Sequence, residues 1–284
     1  MNENPSRNLW LEVITPPLGE RAHKPRSSGL TMVIDKGLGL NETKDMLDVA
    51  GDYIDFLKFG FGTSALYSQG LLEKKINLAK DYDIEVYPGG TFLEIAIMQN
   101  KLKEFIKMAR AFGYTTLEVS DGTISFSQEV RERAISLALD AGFKVLTEVG
   151  KKNLQDKEKI GHYLRQVKHD LDYGAYRVIV EGRESGKNAG FYDQQGRFVG
   201  DEWERILEAA GDPRLLIWEA PLKQQQQDLI LHFGSDVNLG NIAVNEVLAL
   251  EALRVGLRGD TLRPVYLRER GLSTAAGSRV SIVR

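Results

Sequence analysis

The sequence predicts an α/β protein of the (β/α)8, or TIM barrel, type. Three observations carry this: eight short apolar runs alternate with longer segments of helical period, the spacing is even, and several helices end in a glycine just before the next run. The repeating part, residues 29–261, has the size of such a barrel, typically about 250 residues. An open doubly wound sheet fits less well, because it usually has fewer strands and commonly carries a dinucleotide fingerprint. The two glycine-rich stretches that follow early strands, "GLGLNE" and "FGFGTS", do not read G-x-G-x-x-G. They read as tight loops.

The strands are expected at 30–35 (LTMVID), 54–59 (IDFLKF), 84–88 (IEVYP), 115–119 (TTLEV), 143–149 (FKVLTEV), 176–181 (YRVIVE), 215–219 (LLIWE) and 236–240 (DVNLG). Helical stripes are expected from Val130, Ala134, Leu137 and Ala141, from Ile160, Tyr163, Val167 and Leu171, and from Val244, Val247, Leu250, Leu253 and Leu257. Gly113, Gly142, Gly174 and Gly234 suit left-handed helix ends. Residues 1–28 form a Pro/Gly-containing lead-in that caps the barrel bottom or packs on a neighbour. Residues 262–284 form a basic tail with five arginines against one glutamate, read as a terminal arm, with exchange between subunits of a homo-oligomer as a further reading.

Composition narrows the function classes. A chain of 284 residues, 42% hydrophobic and 27% charged, can bury a sizeable core, and a net charge of -3 without large blocks gives no nucleic-acid footprint. The absence of cysteine removes disulfides, thiolate nucleophiles and Cys-based metal sites together. No apolar run approaches the roughly 18 residues of a membrane span, and no apolar h-region follows Met1–Arg7. The expectation is a soluble cytoplasmic protein. The four histidines lack metal-ligand spacing; His162 and His169 read as a solvated helix surface. The run "QQQQ" reads as a polar helix start.

Chemistry on this fold is built where the strands end. Asp35 and Lys36 close the first strand, Lys58 lies near the end of the second, and Glu118 with Asp121 closes the fourth. Glu148 with Lys151 and Lys152 closes the fifth, Glu181 and Arg183 the sixth, Glu219 the seventh, and Asn238 and Asn241 the eighth. The third ends in "PGGT", a close-approach loop. Burying so many unpaired charges is costly, so a mouth of mixed sign points to an anionic ligand held through a cation. Several carboxylates without Cys or His spacing suit a hard ion such as Mg2+. If Glu148 faces the barrel interior, the strand period puts Gly150 and Lys152 on the same side, which makes Lys152 the better proton donor and Lys151 the runner-up.

The segments "LTMVIDKGL", "GDYIDFLKFGFGTSA", "VYPGGT", "LEVSDG", "VLTEVGKK", "VIVEGRESGK", "EAP", "VNLGNIA" and "LRVGLRGDT" resemble, in order and spacing, the phosphosulfolactate synthase family, from about Gly29 to Thr261. The resemblance implies a (β/α)8 enzyme that adds sulfite to phosphoenolpyruvate with Mg2+, giving (R)-2-phospho-3-sulfolactate on a route to coenzyme M or to sulfolactate. It implies a lysine of "EVGKK", matching Lys152, as general acid. Glu148, Glu181 and Glu219 are then the expected metal contacts. Lys36, Lys58, Arg183, Ser185, Asn238 and Asn241 are the expected phosphate and sulfonate contacts; Glu184 has no expected role. Two other readings compete: another lyase or aldolase-like enzyme on the same barrel acting on a related enol phosphate, and a non-catalytic relative like the plant stress proteins of the superfamily.

Overall fold

The computed structural model describes residues 9–150, 157–182, 184–187, 192–197 and 202–271. Eight strands form one parallel sheet: β1 (Thr31–Asp35), β2 (Phe56–Phe59), β3 (Glu85–Pro88), β4 (Thr116–Val119), β5 (Lys144–Val149), β6 (Arg177–Val180), β7 (Leu216–Glu219) and β8 (Leu239–Ala243). Their order, β3-β2-β1-β8-β7-β6-β5-β4, is that of a barrel cut once, between β3 and β4. That seam is bridged rather than zipped: Thr115 N–H donates to the Val86 carbonyl at 3.1 Å, and Val86 N–H donates to Thr115 Oγ1 at 2.9 Å. The sheet is therefore a nearly closed (β/α)8 barrel, as the alternating pattern predicts.

Ten α-helices among the described residues surround it. They are α1 (Leu40–Ala50), α2 (Gln69–Lys80), α3 (Gly90–Met98), α4 (Leu102–Phe112), α5 (Gln128–Asp140), α6 (Lys157–Asp172), α7 (Glu202–Ala210), α8 (Lys223–Phe233), α9 (Val247–Arg254) and α10 (Gly259–Glu269). None of them is long and apolar enough to cross a membrane. The buried stripe of α5 is Arg131, Ala134, Ile135 and Ala138, one step round from the expected one. An arginine looks like a surface residue in a pattern, yet Arg131 buries its guanidinium on Asp170 at 2.6 Å and on the Glu148 carbonyl. Gly113 ends α4 in the left-handed region, whereas Gly234 pairs a positive φ with an extended ψ and is no left-handed cap.

Strand alternation sorts the core into two clusters. Residues such as Val33, Leu57, Val86, Leu117, Val145, Val178 and Trp218 face outward and pack under the helices. Leu30, Met32, Phe56, Tyr87, Leu146, Ile179 and Ile217 face inward and fill the barrel as a separate plug. Each fully buried side chain of this size contributes about 1.5–3 kcal/mol of transfer free energy. The plug also gives the barrel a dry floor.

From Leu18 the lead-in crosses the end of the barrel where the strands begin, with Leu18 N–H donating to the Val255 carbonyl at 3.1 Å. Arg26 pairs with Asp55, ahead of β2, at 2.9 Å, and Arg21 pairs with Glu251 of α9 at the same distance. Strand β8 starts later than expected. Between Thr31/Leu239 and Val33/Ile242 the register slips by one residue, and Asn241 takes φ +54°. Leu239 and Ile242 both face outward, so the bulge leaves Asn241 free to turn inward.

Candidate active site

Two residues beyond the plug, on the same inward face, the side chains become charged. Phe56 is followed by Lys58, Thr116 by Glu118, Leu146 by Glu148, Ile179 by Glu181 and Ile217 by Glu219. The strand period alone therefore stacks a polar layer on the apolar floor at the C-terminal end. Above it lies a cavity of about 310 Å3, lined by these five side chains together with Ile34, Glu94, Ser185 and Asn241, and by the glycines of the β2, β3 and β4 loops. A larger open concavity, about 430 Å3, lies between α4 and α5 on the outer layer; Lys103, Lys107 and Arg110 line it without any acid. It is remote from the strand ends.

Lys58 is the only cation lining the inner cavity among the described residues. Its ammonium lies 2.9 Å from Glu118, 3.5 Å from Glu219 and 3.8 Å from Glu148. Burial works against the charged amine, but the facing acids, Glu118 first, hold its pKa well above the ordinary lysine value. Burial, reinforced by Glu181 and Glu118, pushes the Glu148 carboxyl well up. Burial raises Glu219 as well, against the pull of Lys58 and of the Gly182 N–H, which donates to Glu219 at 3.0 Å. Glu118, Glu148 and Glu219 thus share the Lys58 ammonium.

The loops are held in place by buried acids. Glu94, the one acid in the apolar stretch of α3, accepts hydrogen bonds from Ser120 Oγ at 2.7 Å and from the backbone N–H groups of Thr123 and Ile124 at 2.9 and 2.7 Å. This lays Gly122 over the site, where a β-carbon would come within 3.3 Å of Glu148 Oε1 and 3.4 Å of Glu181 Oε2. Those two carboxylates therefore converge on one point. Asp35 faces outward and is consumed structurally: Oδ2 accepts from the buried Lys75 at 2.6 Å, and Oδ1 accepts from Gly37 and Leu38 N–H, which shapes the β1 loop.

Of the residues expected at the mouth, Lys58, Glu148, Glu181, Glu219, Ser185 and Asn241 do line one cavity. Lys36 lies at the rim and pairs with Glu184 at 2.6 Å, which gives Glu184 a partner the sequence did not suggest. Asn238 belongs to the opposite end and is a correction. It precedes β8, and its side chain accepts from Leu30 N–H and donates to the Arg214 and Leu216 carbonyls, tying strand starts together. Lys151, Lys152 and Arg183 lie outside the described residues. Asn241 is 5% exposed, and its Oδ1 has no hydrogen-bond partner among the described residues. Glu94 and Phe61 were missed by the sequence reading; a lone acid inside "FLEIAIM" was the available signal for the first.

A divalent cation can be tested against this donor set. Among the described residues no group of three or more acids is arranged to hold a metal ion by itself. Mg2+ does not need one, since it commonly takes one or two carboxylates and completes its shell with water and substrate oxygens. The convergent Glu148 and Glu181 supply such a pair, so the residues fit.

Comparison with known proteins follows this geometry. The chain is 49% identical to the phosphosulfolactate synthase of Methanocaldococcus jannaschii over 240 residues, 84% of this chain and 95% of that one. It is 44% identical to that of Methanothermobacter thermautotrophicus over 258 residues, 90% and 98% of the two chains. The structure of a 3-hexulose-6-phosphate synthase covers 79% of this chain and 99% of its own with a TM-score of 0.51 at 14% identity, a likeness of fold alone. Residues 19–260 match the family described as ComA, (2R)-phospho-3-sulfolactate synthase, and the chain belongs to that family of enzymes.

Proposed function

We propose that the protein adds sulfite to carbon 3 of phosphoenolpyruvate in a Mg2+-dependent reaction, giving (R)-2-phospho-3-sulfolactate, as a carbon–sulfur lyase working in the synthetic direction. The observation that carries this reading is the group of Glu118, Glu148 and Glu219 around Lys58, with Glu181 beside Glu148, in a cavity of about 310 Å3. The carboxylates among the described lining residues favour a polyanion bound together with a cation. Mg2+ held by Glu148 and Glu181 would stabilise negative charge as it develops on the substrate carboxylate.

The electron count is simple. A sulfur lone pair of sulfite forms the new C–S bond, the C=C pair moves toward the carboxylate, and a proton then arrives at carbon 2. No P–O bond breaks, so no side-chain nucleophile is required. Lys58 suits charge neutralisation better than proton donation, because its carboxylate partners hold its proton tightly. That leaves the proton to a lysine of the β5 loop, Lys152 first and Lys151 second. Arg183, with Ser185, Asn241 and Lys36, is proposed to contact the phosphate and sulfonate; Lys36 would leave Glu184 to do so.

Purified protein with phosphoenolpyruvate, sulfite and Mg2+, followed by phosphorus NMR, should give a new phosphate monoester without free phosphate. Absence of product at high enzyme concentration would refute the reading. Lys152→Ala should keep phosphoenolpyruvate binding and lose turnover; unchanged turnover would assign the proton to another group.

A further inference from the structure

Four non-glycine residues among those described have a left-handed backbone: Phe61, Asp83, Asn100 and Asn241. Asp83 and Asn100 lie in turns just past the ends of α2 and α3, a common place for such residues. Phe61 and Asn241 line the cavity. For an aromatic residue this conformation is strained, and Phe61 at φ 55°, ψ 27° gains little burial in return. It is 59% exposed and stacks on no other ring among the described residues. The fold thus holds an apolar ring in an unfavourable backbone at the edge of a polar cavity.

Its neighbour gives the ring a context. Ile34 belongs to neither hydrophobic cluster and lines the same cavity. A β-carbon on Gly60 would lie 3.0 Å from Ile34 Cδ1 and Cγ1, so Ile34 packs on the backbone immediately before Phe61. Among the described lining residues, Ile34 and Phe61 are the two with wholly apolar side chains. They lie on the β1–β2 wall, while Glu118, Glu148, Glu181 and Glu219 come from the ends of β4 to β7.

An enol phosphate has a matching division: phosphate and carboxylate at one side, an uncharged methylene carbon at the other. We infer that Ile34 and Phe61 seat the methylene end of the enol phosphate, and that Phe61 sets specificity for a substrate whose terminal carbon bears no substituent. The inference rests on the reading of the site as one for phosphoenolpyruvate. The left-handed backbone fixes the ring over the mouth, so that the reacting carbon lies against hydrocarbon instead of bulk water.

Phe61→Gly tests this without endangering the fold, since glycine adopts the left-handed region freely. The variant should melt no lower than the wild type. Its KM for phosphoenolpyruvate should rise on the order of tenfold with kcat changed much less, the loss expected for an apolar contact. Its preference for phosphoenolpyruvate over the enol phosphate carrying one methyl on the terminal carbon should shrink by a similar factor, and Phe61→Leu should restore part of both. Unchanged KM and unchanged preference in Phe61→Gly, beside an active wild type, would overturn the inference while leaving the proposed function standing. A wild type that neither binds nor turns over phosphoenolpyruvate would overturn both.

Discussion

The two ends of the barrel bury charge in opposite ways. At the end where strands begin, every buried charge described has a committed partner: Arg26 meets Asp55, Arg21 meets Glu251, and Arg254 donates to the Ser235 and Val237 carbonyls at 2.6 Å each. Burial pushes Arg254 down to about 9, which still leaves it charged at neutral pH. At the other end, Glu118, Glu148 and Glu219 share Lys58, Asn241 Oδ1 has no hydrogen-bond partner among the described residues, and Phe61 stands exposed in a strained backbone. Charges committed to fixed partners at one end and carboxylates crowded on one lysine at the other separate the part that stabilises the fold from the part suited to a ligand.

The strongest way to break that contrast is at the saturated end. Arg254→Met removes the hydrogen bonds to Ser235, Val237, Leu30 and Thr31 and the ion pair with Glu251 at 3.5 Å, and should destabilise the protein by about 3–5 kcal/mol in denaturant unfolding, as breaking a buried ion pair does. The KM of the surviving folded fraction should not move. Glu148→Gln should behave inversely: turnover falls by about 10^2–10^3, the scale of losing one electrostatic contact to the transition state, and the melting temperature holds or rises. A Glu148→Gln protein that unfolds readily would erase the distinction between the ends.

The two asparagines flanking Leu239 and Gly240 sharpen the contrast at smaller cost. Asn238→Ala leaves Leu30 N–H and two carbonyls short of a partner and should cost about 1–3 kcal/mol with normal kinetics. Asn241→Gly keeps the left-handed backbone and should leave stability unchanged within about 1 kcal/mol while kcat/KM falls about tenfold. Unfolding curves and steady-state kinetics on both variants would expose a swapped pattern.

The smallest effect concerns Lys24, whose ammonium donates to the Gly51 and Tyr82 carbonyls. Burial lowers its pKa to about 8 from 10.5, against the pull of Asp55. The unfolded chain therefore binds more protons between those values, so stability rises with pH across that window. Relative to Lys24→Met, the wild type should gain stability from pH 8 to pH 10.5; a constant difference would mean the amine is solvated.

Much of this was readable in the sequence because the barrel is periodic. Seven of the expected strands begin within two residues of those observed, and the inward charges follow from counting by two from Phe56, Leu146, Ile179 and Ile217. The eighth strand shows where counting fails. Asn-Leu-Gly-Asn looks like the end of a run, but a bulge at Asn241 carries the strand on to Ala243, so Asn238 falls at its foot instead of its tip. Contacts between distant elements were equally hidden. Glu94 on α3 holds the β4 loop, Lys75 on α2 holds Asp35, and Lys36 reaches Glu184 across 148 positions; no local pattern encodes such pairings.

The seam between β3 and β4 also has a kinetic meaning. The other neighbouring strands are joined by backbone ladders, but here one backbone bond and the hydroxyls of Thr115 and Thr116 join the edges. Amide hydrogen exchange should therefore be fastest, among the strands and the residues that lead into them, at Val86 and Thr115, and a Thr115→Val chain should exchange faster at Val86 without losing the rest of its protection. The barrel has a weakest stave, and its breathing would begin at the wall that carries Glu118 and the amino end of α3.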